Sequence, residues 1–387
     1  MVLGVASRPL RPRLSYEARR RAARRAGHIR LGVLAGVVVV LIVVVVELSS
    51  GSSPAAKPPA RTTTTSTSGT GPPSGGTAVP AVTAQLASWA LNSALSRCVV
   101  LPTASAGSLI VAGGEEGSGA ISQGIFDVST SNGAATQVGD LLGPLEDAAA
   151  VVLGGKGYVF GGGDGSAPVA TAQQLANLGS AQPTTAAATL LGSLPLARAG
   201  DAAAVIGNTV YVIGGDDGTM PVAAVLATTD GVHFVTVATL PKAVRDAAVA
   251  VAGGRIYVFG GLGASGDPVD TVQLIDPAAH RATVVGALPE PLAGAAAVTL
   301  GGVVYVAGGE TASHAGATPS AVGTVWAWLA TSSRAVPAGH LAAPVAYAGV
   351  TVIGSTVWVI GGESAPSVLV RDVQSFATKP GTTVGGA

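Results

Sequence analysis

Six times along this chain an apolar run closes on a pair of glycines, in SLIVAGGEE, GYVFGGGDG, VYVIGGDDG, IYVFGGLGA, VYVAGGETA and VWVIGGESA. The first glycines are Gly113, Gly161, Gly214, Gly260, Gly308 and Gly361, at intervals of 48, 53, 46, 48 and 53 residues. A repeat of that period is a supersecondary unit that cannot bury its apolar face alone and must stack on its neighbours. At 387 residues the chain has room for two average domains, but repeat folds often use more than about 200 residues as one, so one large domain is expected. The 55 glycines and 24 prolines, set among 48% hydrophobic residues, suit many short strands and turns and exclude a long helical bundle.

The similarity reaches beyond the glycines. Leu194, Leu240 and Leu288 each open a Leu-Pro pair 17 residues ahead of Tyr211, Tyr257 and Tyr305; Leu141 and Leu341 keep that spacing to Tyr158 and Trp358 without the proline. Runs of small residues, Asp201 to Val205, Ala247 to Val251 and Ala295 to Val298, suit inner strands where blades converge on an axis. The YVIGG-type runs are continuously apolar, as a strand sandwiched between neighbouring blades must be. Third strands are expected at Val272 to Ile275 and Val322 to Leu329, and Asp230-Gly231 signals a hairpin.

Together these features resemble the Kelch repeat over roughly residues 90 to 387, most fully in DTVQLIDPAAHRATVVGALPEPLAGAAAVTLGGVVYVAGG, residues 270 to 309. The resemblance implies an all-β, six-bladed Kelch-type β-propeller. The family's fourth-strand tryptophan is replaced by smaller residues or Phe234, and its arginine before the first strand stands in only some repeats. Closing the ring removes sheet edges, and two segments compete for that role. They are Ala87 to Leu91 and Thr382 to Val384; the first is longer and carries Trp89.

Ahead of the repeats the chain changes character. Nine arginines (Arg8, Arg11, Arg13, Arg19, Arg20, Arg21, Arg24, Arg25 and Arg30) precede Leu31 to Val46, an uninterrupted stretch of 16 apolar or glycine residues. A helix over that stretch is about 24 Å long, slightly short of a hydrocarbon core of about 30 Å, and Arg30 can snorkel. The positive-inside rule then leaves the N-terminus cytoplasmic. The reading is a cytoplasmic tail over 1–30, a signal-anchor helix over 31–48, a Ser/Thr/Pro-rich stalk over 49–80 and a propeller over 81–387. A cleaved signal peptide is the competing reading, and either one exports the repeats.

Beyond the tail the chain holds 12 basic and 20 acidic residues, a net of −8 that repels phosphate backbones and excludes nucleic acid as a partner. Cys98 is the one cysteine, which rules out an intramolecular disulfide; it reads as a small buried side chain. Five dispersed histidines supply no metal-binding spacing, and no cofactor is expected. Some relatives are copper-radical oxidases, whose ligand set does not match this chain.

Antiparallel connectivity brings the starts of inner strands and the ends of second strands to one rim. After the glycine pairs stand Glu115, Glu116, Asp164, Asp216, Asp217, Glu310 and Glu363; before the inner strands stand Arg97, Glu146, Asp147, Arg198, Asp201, Arg245 and Asp246. The ligand-binding candidates are Glu115, Glu116, Asp164, Arg198, Asp216, Asp217, Arg245, Glu310 and Glu363, against a bland reading in which they cap strand ends and pair locally. The function expected is a membrane-anchored, extracytoplasmic binding or scaffolding module for a protein or cell-envelope glycan, with no catalytic residue assigned. The alternative is an extracytoplasmic sugar-processing enzyme with its site at the propeller mouth, which needs convergent acid and base.

Overall fold

The computed structural model describes residues 78–178, 186–312 and 318–384. The regular elements among them are all β-strands. Consecutive strands pair antiparallel in fours: four sheets hold four strands each, and an eight-stranded sheet is two such meanders joined at one parallel pair, Ala287 with Arg334. We number these units 1 to 6 from their inner strands, Val99–Pro102, Ala149–Leu153, Ala199–Ile206, Ala248–Ala252, Ala296–Leu300 and Gly349–Ile353. Inner strands touch in cyclic order, unit 6 returning to unit 1, which makes the arrangement propeller-like.

The amino-acid pattern accounts for this stacking. Second strands such as Arg255–Phe259 are apolar on both faces because each face meets a different neighbour. Val258 packs toward unit 3 with Tyr211, Ile213 and Val225, whereas Tyr257 and Phe259 pack toward unit 5 with Val304, Val306 and Trp328. Every cluster of the core lies in this way between two adjacent units, so the apolar interior is a ring of interfaces and not one central mass.

The glycine pairs staple those interfaces. In unit 6, a Cβ on Gly361 would stand 2.1 Å from the Leu95 carbonyl oxygen, and one on Gly362 would stand 3.0 Å from the Cβ of Ala348. Both glycines have positive φ. The space and the conformation together admit only glycine. The Gly362 N–H donates to the same Leu95 carbonyl at 2.8 Å, and Gly114, Gly162, Gly215, Gly261 and Gly309 donate equivalently to Leu145, Arg198, Val244, Leu292 and Val345.

Closure comes from the N-terminal side, by a segment other than either sequence candidate. Val79–Leu86 is the outer strand of unit 6 and pairs antiparallel with the long strand Val373–Val384, of which Thr382 to Val384 are the tail. Its first two residues fall inside the stretch assigned to the stalk. Ala87 to Leu91 follows it as a non-strand clamp: Trp89 stacks on Trp358 at 6.1 Å, and its indole N–H donates to the Thr130 carbonyl of unit 1. The buried Tyr305 of unit 5 donates its hydroxyl to the Pro80 carbonyl at 2.9 Å. Tyr305→Phe is expected to lower stability by about 1 kcal/mol, read as a urea midpoint shift at constant slope; an unchanged midpoint would mean that the bond contributes nothing to closure.

The Arg-rich tail, the 31–48 segment and the stalk up to residue 77 lie outside the described residues. Among the described residues no helix is long and apolar enough to cross a membrane.

Candidate functional site

On approaching each inner strand the chain takes the same left-handed step. Arg97, Asp147, Gly200, Asp246, Gly294 and Tyr347 have φ between 53° and 66°. Four of these residues are not glycine, and each holds a sparsely populated conformation that costs of order 1–3 kcal/mol. The step serves a closed circuit: Arg97 N–H donates to Tyr347, Tyr347 to Gly294, Gly294 to Asp246, Asp246 to Gly200, Gly200 to Asp147 and Asp147 to Arg97, each through the backbone at 2.7–3.0 Å. This ring of hydrogen bonds frames the mouth.

Side chains from the ring then pair with one another across units. The buried Arg97 donates from Nε to Glu363 at 3.0 Å and from Nη1 to both oxygens of Asp147 at 2.8 and 3.0 Å. Its guanidinium lies 3.7 Å from the centroid of the Tyr347 ring, a cation–π contact. Tyr347 donates its hydroxyl to Glu310. One arginine thus joins units 6, 1 and 2 directly and unit 5 through the tyrosine. Burial alone would lower the Arg97 pKa, but Asp147 and Glu363 outweigh it and hold the group charged well above its ordinary value. Burial first, and then Glu310, push the Tyr347 phenol up.

Across the mouth, Arg245 donates to Asp246 at 3.1 Å and stands 3.6 Å from Asp216. The two glycines of the ring make room for these side chains. A Cβ on Gly200 would lie 2.5 Å from the Asp246 carboxylate, and one on Gly294 would lie 2.7 Å from the Tyr347 ring.

The predicted rim residues therefore separate into three groups. Asp216, Arg245, Glu310 and Glu363 converge on the mouth and bond between units, each acid meeting a residue of the following unit. Glu116, Asp164 and Asp217 sit farther out, on the connections between second and third strands, whereas Glu115 pairs with Ser96 at the place that Asp216, Glu310 and Glu363 hold in their units. Asp164 Oδ1 accepts from the N–H groups of Ser166 and Ala167, and these bonds with the Ser166 hydroxyl more than offset burial and lower its pKa. Asp217 Oδ1 accepts from the N–H groups of Thr219 and Met220.

Arg198 lies apart from both. It is 1% exposed, and it turns away from the rim to donate to the carbonyls of Gly214 and Ala224 within its own unit. The other units carry leucine or valine at this position, namely Leu95, Leu145, Val244, Leu292 and Val345. Nearby Asp201 is 8% exposed, and neither carboxylate oxygen finds a hydrogen-bond partner. Burial drives its pKa well above the ordinary value, against the pull of Arg198. Cys98 holds the place equivalent to Asp201 in unit 1, and burial pushes its thiol up to about 12, so it is no thiolate nucleophile near neutrality.

Three glutamines went unnoticed in the sequence. Gln173, Gln273 and Gln374 are buried in third strands and accept at Oε1 from the N–H of Leu142, Lys242 and Ala343, which fixes the connections into their units. Their signal is a glutamine at the same place in three third strands, TAQQL, TVQLID and VQSF. Among the described residues no three His, Cys, Asp or Glu side chains are grouped so as to hold a metal ion.

Residues 243–281 match the family model of the Kelch motif. A comparison of the sequence with curated proteins finds no match. Among solved structures, one described as "Structure of YjhT" superposes with a TM-score of 0.62 at 16% identity, covering 77% of this chain and 99% of that one. At that identity the likeness is one of fold.

Proposed function

We propose that this chain is a Kelch-type β-propeller, six-bladed and membrane-anchored, and that it is an extracytoplasmic module recognising a protein partner over its charged rim. The observation that carries this reading is the pairing of the charged groups at the mouth. Asp147 and Glu363 hold Arg97, and Glu310 holds Tyr347, so the groups at the centre are engaged with one another. A sugar-processing enzyme needs an acid and a base free to exchange protons with a substrate at that place. Recognition needs only a shaped, charged outer surface, and the acids on the connections farther out supply one. Kelch propellers generally bind protein partners, which supports the same choice.

The test uses the full-length chain in its native membrane, with cross-linking and quantification of what it captures. Asparagine and glutamine retain an acceptor oxygen but carry no charge, so Glu116→Gln, Asp164→Asn and Asp217→Asn together keep the loop turns while discharging the rim. Capture of the wild type's protein partner is expected to fall several-fold, with the melting temperature unchanged. Undiminished capture would remove the rim from the reading, and capture of a glycan alone would replace the protein partner.

A further inference from the structure

The rim is not uniform around the disc. On units 1 to 3 the connections at the mouth face, residues 87–98, 113–124, 140–148, 161–171, 193–200 and 214–224, carry eight acids and two bases, Arg97 and Arg198, both of them buried. Of the acids Glu146 is buried and Asp147 and Asp216 stand against Arg97 and Arg245, which leaves Glu115, Glu116, Asp140, Asp164 and Asp217 to charge the outer surface. The same sector exposes three large apolar side chains, Leu142, Leu196 and Met220, at 49%, 44% and 59%. Leu142 is held over unit 2 by its bond to Gln173, on the side of the loop that Asp164 caps. Leu196 lies on the equivalent connection into unit 3, and Met220 lies on the loop that Asp217 caps.

Exposed leucine and methionine on loops fixed by hydrogen bonds offer a partner apolar contact area, and methionine is enriched at protein interfaces. Acids around them select its charge, because a basic partner gains attraction from every side while an acidic one is repelled. We infer that the mouth-face loops of units 1 to 3 form the docking surface, and that the occupant is a segment of a partner protein in which arginine or lysine alternates with aliphatic side chains. The inference rests on the recognition function proposed above and assigns it to one half of the rim. The described connections of units 4 to 6 at this face differ in two ways: they carry three bases that are not buried, Lys242, Arg245 and Arg371, and they expose one large apolar side chain, Val368.

The experiment titrates the full-length protein in detergent with three labelled peptides of equal length: arginine alternating with leucine, arginine alternating with glycine, and glutamate alternating with leucine. The arginine–leucine peptide is expected to bind at least tenfold more tightly than either of the others. Its affinity should fall as salt rises from 0.05 to 0.5 M, because screening removes the charge contribution. Leu196→Ser with Met220→Ser is expected to weaken it about tenfold or more, while Val368→Ser on unit 6 leaves it unchanged. Equal binding of the arginine–glycine peptide, or indifference to the Leu196/Met220 pair, overturns the inference. If that pair is silent while discharging Glu116, Asp164 and Asp217 abolishes partner capture, the recognition reading stands without this surface; if both are silent, both fail.

Discussion

Replacing Arg97 by leucine is expected to lower the stability of the folded chain by about 3–5 kcal/mol, the usual consequence of deleting one member of a buried ionic network. The deletion leaves Glu363 buried without its cation and takes from Asp147 two hydrogen bonds of 2.8 and 3.0 Å. It also uncovers the Tyr347 ring, against which the guanidinium rests. Leucine fills part of the volume but supplies none of the donors. Because Arg97 belongs to unit 1 while Glu363 and Tyr347 belong to unit 6, the loss falls on the junction where the ring closes. Urea unfolding is followed by tryptophan fluorescence, to which Trp89 and Trp358, stacked at that junction, contribute together with Trp326 and Trp328 of unit 5. Arg97→Lys keeps the charge without the planar fork and is expected to fall between leucine and wild type. A leucine variant within about 0.5 kcal/mol of wild type would show that the network does not lock the ring.

The partners in that network could not be paired from the sequence, although Arg97, Asp147 and Glu363 were all visible there as charges near strand ends. Each bond crosses from one unit to the next, and residues about 50 or several hundred positions apart carry no local signal of contact. What was legible is whatever repeats within a unit: the glycine pairs, the small inner-strand residues, the apolar second strands and the buried leucines of the Leu-Pro turns. The exception in unit 1 has a simple cause. Leu91 occupies the place of Leu141 and Leu341, with a backbone bond to Arg371 and its side chain beside Gly361. Its spacing to the glycine pair is longer by two residues because the hairpin between Val99–Pro102 and Ser108–Ala112 is longer. The closing strand was hidden for another reason: VPAVTAQL follows a Pro/Gly/Thr-rich stretch and reads as its continuation. Arg198 points into its own unit because side-chain direction alternates along an extended chain. A charge beside a rim is not a charge on it, and the apolar residues at the same place in the other units were the available warning.

Asp201→Ala is expected to stabilise the chain by about 1–3 kcal/mol, the desolvation cost of a buried polar group left without a hydrogen bond. Alanine already occupies the corresponding place in four other units (Ala148, Ala247, Ala295 and Ala348), so the fold accommodates it. The gain should depend on pH in a definite sense. Burial raises the folded-state pKa of Asp201 above the unfolded value near 3.8. Below that value both states are protonated and the carboxyl costs least; as pH rises toward the folded pKa the unfolded chain releases a proton that the folded chain keeps, and wild-type stability declines. The difference between Asp201→Ala and wild type should therefore widen from about pH 4 upward and level off above the folded pKa. Asp201→Asn separates the two contributions, because it abolishes the pH dependence while leaving buried polar atoms in place. Arg198→Leu should extend the decline to higher pH, since Arg198 is the cation that opposes the rise in the Asp201 pKa. A constant difference between Asp201→Ala and wild type across pH 4 to 9 would mean that Asp201 is ionised throughout, with Arg198 compensating it fully.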